Sequence, residues 1–556
     1  MADGFGRVAA QPRPSHFADP DVPLSVLLSR SVQARPVTRM HFHTEEGVTS
    51  VTTSGLIFAG RQLARGLRTI GLRRGDAIAM QLPTARDTAV LYLAALEIGA
   101  VLVPIVHIYG PAEVSFILRE SRARFLCVPE RWRGIDFLAR VDALGHLPDL
   151  ERVIVLGERT PAGGITLKAI EALAGTTTNT TTTSSTMPQV DDVCLLLYTS
   201  GTTAAPKGVR HTHRTVGAEW LIPFIDVDAA PEAPAAPAPR GGVAALGRRG
   251  GGPYLTPFPA GHIAGFNFLL RPFVTGTDMV FMDRWDAALA AELIERHRVR
   301  LSGGTPFHLR GLLEAAARDG RDLSSLAAYS MGGTGVTPEH VAAADHAGFA
   351  GSRSYGLTEH STVSVGWRDM PFAQRAQTDG RLQPGTEVRI VDELERELPR
   401  GSDGEILVRG PELFIGYTDA ALNAQAFTSD GWFRTGDIGR LDATNCLTLT
   451  DRKKDIVIRG GENISSQEVE RVLATHPAVQ DVAVVAQPDA RHGEKVCAFV
   501  VLKRGGTLAL ADVQRHFAAA GVARQKTPEG LHVVDELPRT ASGKVKKGEL
   551  RERARA

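Results

Sequence analysis

Residues 76–105 read Asp76-Ala-Ile-Ala-Met-Gln-Leu-Pro-Thr-Ala-Arg-Asp-Thr-Ala-Val-Leu-Tyr-Leu-Ala-Ala-Leu-Glu-Ile-Gly-Ala-Val-Leu-Val-Pro-Ile105. Asp76–Gln81 predicts a strand, Thr84–Ile98 a helix and Ala100–Ile105 a second strand. Glu97, Gly99 and Pro104 interrupt the longest apolar stretch of the chain, from about Thr88 to Val106. A buried helix followed by a buried strand accounts for it better than a membrane span, which needs ~20 mostly apolar residues.

The same alternation continues on both sides. Leu56–Ile70 reads as an amphipathic helix ended by Gly71, Pro111–Glu120 as a helix and Ala123–Val128 as a strand. Strand–helix alternation of this kind implies a layered α/β domain with a largely parallel sheet. Residues 1–20 read as a loose arm. Residues 176–186, nearly all Thr and Ser, and residues 228–252, rich in Ala, Pro, Gly and Arg, cannot bury a core and read as exposed insertions. Past residue 254 the α/β pattern resumes, with Asp286 as an N-cap ahead of an amphipathic helix to Arg298. Between Gly380 and Leu449 the character changes to short strands, Glu387–Val391, Gly404–Arg409 and Asp437–Leu441, separated by Gly and Pro turns. The charged run Asp451-Arg-Lys-Lys-Asp455 then precedes a last hundred residues of mixed type. The expected fold is therefore α/β. It has a large N-terminal domain (1–450) of layered α/β subdomains plus a small β-rich subdomain, and a small mobile α+β domain (451–556).

Composition removes several classes. With 63 basic against 62 acidic residues and 43% hydrophobic content, the chain is ordinary and globular, with no nucleic-acid footprint and no polybasic membrane arm. At about 150 residues per domain, 556 residues suit three or four units. Cys127, Cys194, Cys446 and Cys497 are far apart, and three sit in strand-like apolar runs, as reduced buried thiols of a cytoplasmic protein do. Met1-Ala-Asp-Gly-Phe-Gly-Arg7 contains no apolar signal segment.

The chemistry-bearing segments begin with the apolar strand Val193–Leu197, which runs into Tyr198-Thr-Ser-Gly-Thr-Thr-Ala-Ala-Pro-Lys-Gly-Val209. Hydroxyls, backbone N–H groups that Gly201 leaves accessible and the point charge of Lys207 make a phosphate cradle. The lysine precedes Gly208 with no Ser or Thr after it, so this is not a Walker A loop. By itself the loop reads more readily as a Thr-rich surface turn.

It is followed, in order, by Thr256-Pro-Phe-Pro-Ala-Gly-His-Ile-Ala-Gly265, Ser330-Met-Gly-Gly-Thr-Gly335, Ser354-Tyr-Gly-Leu-Thr-Glu359, Gly431-Trp-Phe-Arg-Thr-Gly-Asp437, Asp451-Arg452, Arg459-Gly-Gly-Glu-Asn-Ile-Ser465 and Leu537-Pro-Arg-Thr-Ala-Ser-Gly-Lys544. From about residue 50 to 550 this series resembles the superfamily of acyl-CoA synthetases, peptide-synthetase adenylation domains and firefly-type luciferases. Around Gly261–Gly265 it is most similar to fatty-acid and cyclohexane-carboxylate ligases.

The resemblance implies roles for particular residues. Thr199, Ser200, Gly201, Thr202, Thr203 and Lys207 would hold the ATP phosphates. Gly333, Thr334, Gly335, Tyr355 and Gly356 would surround the adenine, and Tyr355 would offer a stacking face. Thr358 would bond the α-phosphate and Glu359 would hold Mg²⁺, a cation that favours hard oxygen ligands. Asp437 and Arg452 would fix the ribose. His262 would gate the acyl carbon, Lys454 would be the hinge, and Gly460, Gly461 and Glu462 would meet coenzyme A. Lys544 would steer the acid and stabilise charge at the α-phosphate. A wall of Phe266, Ser302–Pro306 (with Gly303 and Gly304) and Gly332–Gly335 would suit a medium-length aliphatic, alicyclic or aromatic acid. No Asp stands in Gly261–Phe268 to bind an α-ammonium group, which disfavours an amino acid.

The implied reaction is ATP-dependent acid–CoA ligation through an acyl-AMP. A ligase that loads a carrier-protein thiol shares the same motifs, a non-catalytic nucleotide-binding protein is the reading from another class, and nothing favours a luciferase-like oxygenase. Expected partners are the acid, ATP and CoA, with no nucleic acid and no stable membrane insertion. The sequence allows a monomer or a homodimer.

Overall fold

The computed structural model describes residues 22–34, 37–176, 187–199, 206–221, 252–460, 462–540 and 542–555. The two expected insertions, residues 176–186 and 228–252, lie almost wholly outside this set. The βα reading of residues 56–129 holds, with shifted boundaries. The first helix is Thr53–Thr69, begun earlier than expected because the Thr52 side chain accepts from the Gly55 N–H. The second is Arg86–Ile98, and Thr84 stays outside it, its hydroxyl accepting from the Ala260 N–H at 2.9 Å. Ten of the thirteen residues of Arg86–Ile98 are buried, which explains why the helix is apolar nearly all round.

Among the described residues the strands form two large sheets, two smaller ones and a two-stranded hairpin of Arg131–Trp132 and Ile135–Asp136. A seven-stranded sheet runs Lys207–Thr212, Val193–Thr199, Val101–Pro104, Ala77–Met80, Phe125–Pro129, Arg152–Leu156, Ile165–Thr166. All its pairings are parallel except that of Val193–Thr199 with Lys207–Thr212. A nine-stranded sheet is parallel from Arg39–Thr44 across to Ala350–Leu357 and antiparallel at both edges. One continuous core, containing the helices Thr53–Thr69 and Arg86–Ile98, packs against residues of both sheets. Layered parallel sheets with covered faces need buried strands of this apolar kind.

The expected β-rich subdomain is a four-stranded antiparallel sheet of Glu387–Val391, Gly404–Arg409, Phe433–Leu441 and Leu447–Arg452. The C-terminal unit has its own sheet, Glu462–Ile464, Val457–Arg459, Gly493–Leu502, Val479–Asp489 and Gly530–Val533, and its own core around Val469, Leu473, Val484 and Phe517. The result is the expected α/β architecture of a large N-terminal and a small C-terminal domain. All four cysteines are buried and unbridged. No helix among the described residues is long and apolar enough to cross a membrane.

Candidate functional site

A cleft of about 1620 Å³ collects the segments that leave the C-terminal ends of parallel strands in both large sheets. Val106–Tyr109 follows Val101–Pro104, Gly261–Ile263 follows Tyr254–Thr256, Pro306–Phe307 follows Leu301–Gly304, and Gly333–Val336 follows Ala328–Met331. Ligand sites of open α/β sheets form at this end because the connecting loops diverge there. The small antiparallel sheet and the C-terminal unit supply the other walls, through Asp437, Arg452 and Lys544.

Lys544 ends a tight turn in which the Gly543 N–H donates to the Thr540 carbonyl, and Thr540 and Lys544 bond each other. From there its side chain crosses to Gly333. An ideal Cβ on Gly333 would lie 3.2 Å from Lys544 Cε and 3.8 Å from its Nζ. Gly333 also has φ of +79°, so this turn favours glycine for its conformation. Burial, then the charge of Arg452, lowers the Lys544 pKa to about 8, against the opposing pull of Asp437 and Glu359.

Opposite it stand two carboxylates. Asp437 pairs in register with Arg452 across adjacent strands. Its Oδ2 accepts from the Tyr355 hydroxyl at 2.6 Å, and its Oδ1 lies 3.0 Å from Arg452 Nε. An ionised carboxylate has about four lone-pair sites, so these two contacts leave capacity for two further donors. Thr358 and Glu359 form the two-residue tip between the strands Ala350–Leu357 and His360–Val365. That tip is held by His211 Nε2, 2.8 Å from the Thr358 carbonyl, and by the Phe414 N–H on the Glu359 carbonyl. The Tyr417 hydroxyl donates to Glu359 Oε1 at 2.7 Å, and burial raises the Glu359 pKa. Lys207 Nζ lies 5.4 Å above the Tyr417 ring.

His262 caps the helix Ile263–Leu270, its Nδ1 accepting from the Ala264 N–H. Its other faces meet Phe258, at a centroid distance of 5.8 Å, and the cleft. Burial lowers its pKa to about 3, with the nearby Lys544 charge acting in the same direction, so the imidazole is neutral at pH 7.

Thr199, Lys207, His262, Gly333, Thr334, Gly335, Tyr355, Gly356, Thr358, Glu359, Asp437, Arg452, Lys454 and Lys544 all line this one cleft. Ser200, Gly201, Thr202, Thr203 and Gly461 lie outside the described residues. Three expected wall residues are placed elsewhere. Phe266 is fully buried in the core against Tyr92 and Trp220. Gly303 and Gly304 are strand residues behind the wall. Their Cβ atoms would come within 2.6 Å of the Ser330 carbonyl and 2.8 Å of His308 Nδ1, so their smallness serves packing. Gly460 and Glu462 belong to the hairpin Val457–Arg459 and Glu462–Ile464, whose described residues do not line the cleft in this conformation. Lys454 sits in a one-turn 3₁₀ segment whose carbonyl accepts from Arg551.

Two contributors escaped the sequence reading. Tyr417 stands outside the quoted motifs, and the only local signal was an aromatic in the polar stretch after Gly416. His211 is one residue of a strand, and nothing local distinguishes it from a core histidine.

A buried ammonium, two carboxylates and an unprotonated imidazole around one cleft suit a polyanion with a polar sugar and an acid beside it. The comparisons agree. The model of the AMP-binding enzyme family matches residues 29–418, and that of the AMP-binding enzyme C-terminal domain matches residues 468–544. The medium-chain fatty-acid–CoA ligase of Escherichia coli (strain K12) is 35% identical over 509 residues, 90% of this chain and 85% of that one. The anthranilate CoA ligase AuaEII in complex with anthranoyl-AMP has a TM-score of 0.83 at 24% identity, covering 96% of this chain and 98% of its own, a likeness of fold. ATP-bound MatB from Rhodopseudomonas palustris has a TM-score of 0.79 at 25% identity, covering 95% and 98%. The chain belongs to the AMP-binding enzyme family.

Proposed function

We propose that this protein is an ATP-dependent, AMP-forming acid–CoA ligase for a medium-length aliphatic, alicyclic or aromatic acid. The observation that carries this reading is the Lys544 side chain, brought from the C-terminal unit across Gly333 into the cleft that Asp437 and Glu359 also line. In the first half-reaction the acid carboxylate attacks the α-phosphorus of ATP and pyrophosphate leaves. Lys544 stabilises charge on both reacting anions, Asp437 and Arg452 hold the ribose, and Thr358 bonds the α-phosphate. Lys207 neutralises the departing phosphates. The Glu359 carboxylate, bonded by the Tyr417 hydroxyl and within the field of Lys207, is the hard oxygen donor in the cleft that would hold a Mg²⁺. Bound there, Mg²⁺ would offset phosphate charge.

In the second half-reaction the C-terminal unit turns about Lys454, withdraws Lys544 and brings the Gly460–Asn463 hairpin to the cleft, where CoA thiolate displaces AMP. Neutral His262 stands at the acid's side of the cleft with Gly261 and Ile263. The four buried thiols fit work in the reducing cytoplasm.

The test is a panel of acids offered with ATP, with and without CoA. Acid-dependent pyrophosphate release and hydroxamate trapping should identify the acid, and CoA alone should yield acyl-CoA. Acyl-hydroxamate without any acyl-CoA would instead indicate a carrier-protein thiol as acceptor.

The Lys544 environment adds a pH dependence. Its charged form acts, and its pKa is lowered to about 8, so the ammonium is present below that pH and lost above it. In the free enzyme, kcat/KM for ATP in pyrophosphate exchange should fall about tenfold per unit above pH 8. A profile flat to pH 10 would contradict the assignment.

A further inference from the structure

Lys544 works only while the C-terminal unit is docked, and one set of docking contacts leads to the Asp481 carboxylate. Arg310, on the helix Pro306–Asp319 of the large domain, reaches across to the C-terminal unit. Its Nη1 donates to the Gln480 carbonyl at 3.0 Å and its Nη2 to Asp481 Oδ2 at 3.2 Å. Arg539 Nη2 takes the same Asp481 oxygen at 2.5 Å, and its Nη1 donates to the Gly543 carbonyl at 2.6 Å. The Arg539 guanidinium lies 5.2 Å from the centroid of Phe307, again on the large domain. Gly543 is packed so closely that its Cβ would lie 2.8 Å from Thr305 Oγ1. Lys544 is the next residue.

We propose that Arg310 is a positioning residue for adenylation: it holds Asp481, and through Arg539 and Gly543 it seats Lys544 in the cleft. This rests on the ligase reading for its consequence but not for its geometry. An exposed ion pair alone contributes little. Here one carboxylate accepts from two guanidiniums, and a fork that bonds a carbonyl and a carboxylate together fixes direction as well as distance. The Arg310 bonds, the Arg539–Phe307 contact and the close approach of Gly543 to Thr305 span the two domains and must break when the C-terminal unit turns, whereas the Arg539–Asp481 pair lies within that unit and turns with it. Arg310 therefore favours the first half-reaction at the expense of the second.

The experiment uses the full-length protein with Arg310→Ala, Arg310→Lys and Asp481→Asn. Arg310→Ala should lower acid-dependent pyrophosphate exchange about tenfold, mostly in kcat. It should leave thioester formation from synthetic acyl-AMP and CoA equal or faster, and Tm unchanged. Arg310→Lys should recover part of the exchange rate, and Asp481→Asn should behave as Arg310→Ala. Limited trypsinolysis after Lys453 and Lys454 reads docking without any turnover, and Arg310→Ala should be cut several-fold faster than wild type. Equal cleavage, or a parallel fall of both half-reactions, overturns the proposal. Faster cleavage in a protein whose wild type adenylates no acid supports the positioning role and overturns the ligase reading instead.

Discussion

Lys544→Ala should reduce acid-dependent pyrophosphate exchange by two to three orders of magnitude while conversion of supplied acyl-AMP to thioester stays within a few-fold of wild type. The size follows from removing one preorganised charge aimed at a developing anion, a change that costs roughly 10²–10³ in rate. The asymmetry follows from geometry. Lys544 follows Gly543, which is packed against Thr305 and Phe307 of the large domain, and the proposed turn of the C-terminal unit would carry it away from the cleft. Lys544→Met should behave like Lys544→Ala, since a long apolar chain fills the same path over Gly333 without the charge. Lys546→Ala serves as a control: that ammonium pairs with Glu549 on the surface and should not affect either half-reaction. Equal loss in both half-reactions for Lys544→Ala would place the lysine in binding rather than in adenylation.

How much of this was legible beforehand depended on sequence separation. Elements with local periods came through to within a few residues, and residues that share a single string arrive in the cleft together. Thr358 and Glu359 occupy one hairpin tip, and Gly333–Gly335 one turn, so their neighbours in sequence are their neighbours in space. The contacts that tune those residues are not local. Tyr417 is 58 residues from the Glu359 it bonds, Tyr355 is 82 from Asp437, and Arg310 is 171 from Asp481. Phe266 shows the opposite failure. It lies one helical turn after His262, so a shared face was a reasonable expectation. The aromatic packing of Tyr92 and Trp220 draws it into the core instead, where full burial of a Phe side chain contributes about 1.5–3 kcal/mol. Gly303 and Gly304 were expected in the acid-pocket wall, but a Cβ on either would meet a neighbouring carbonyl or imidazole instead.

Asp437→Ala should raise the KM for ATP about a hundredfold, and its signature should be a loss of discrimination at the ribose. Each hydrogen bond to a charged acceptor is worth about 1.5–3 kcal/mol, and two of them lost together correspond to at least ~3 kcal/mol, or two decades. The variant also strands the Tyr355 hydroxyl, which is buried, and the Arg452 guanidinium, which is partly exposed and can recover water. A modest fall in Tm is therefore expected as well, and KM alone cannot separate a lost ribose contact from a loosened site. Dideoxy-ATP can. Wild type should prefer ATP to 2′,3′-dideoxy-ATP by roughly a hundredfold, and Asp437→Ala should treat the two nearly alike, because the acceptor that distinguishes them is gone. The logic is that of a double-mutant cycle in which the second change is made in the ligand. Tyr355→Phe separates the remaining contribution. It removes the donor to Asp437 Oδ2 but leaves the carboxylate and Arg452 in place, so ribose discrimination should persist even where affinity drops. If wild type and Asp437→Ala show the same ratio between the two nucleotides, Asp437 is holding Arg452 and Tyr355 in place and does not touch the sugar.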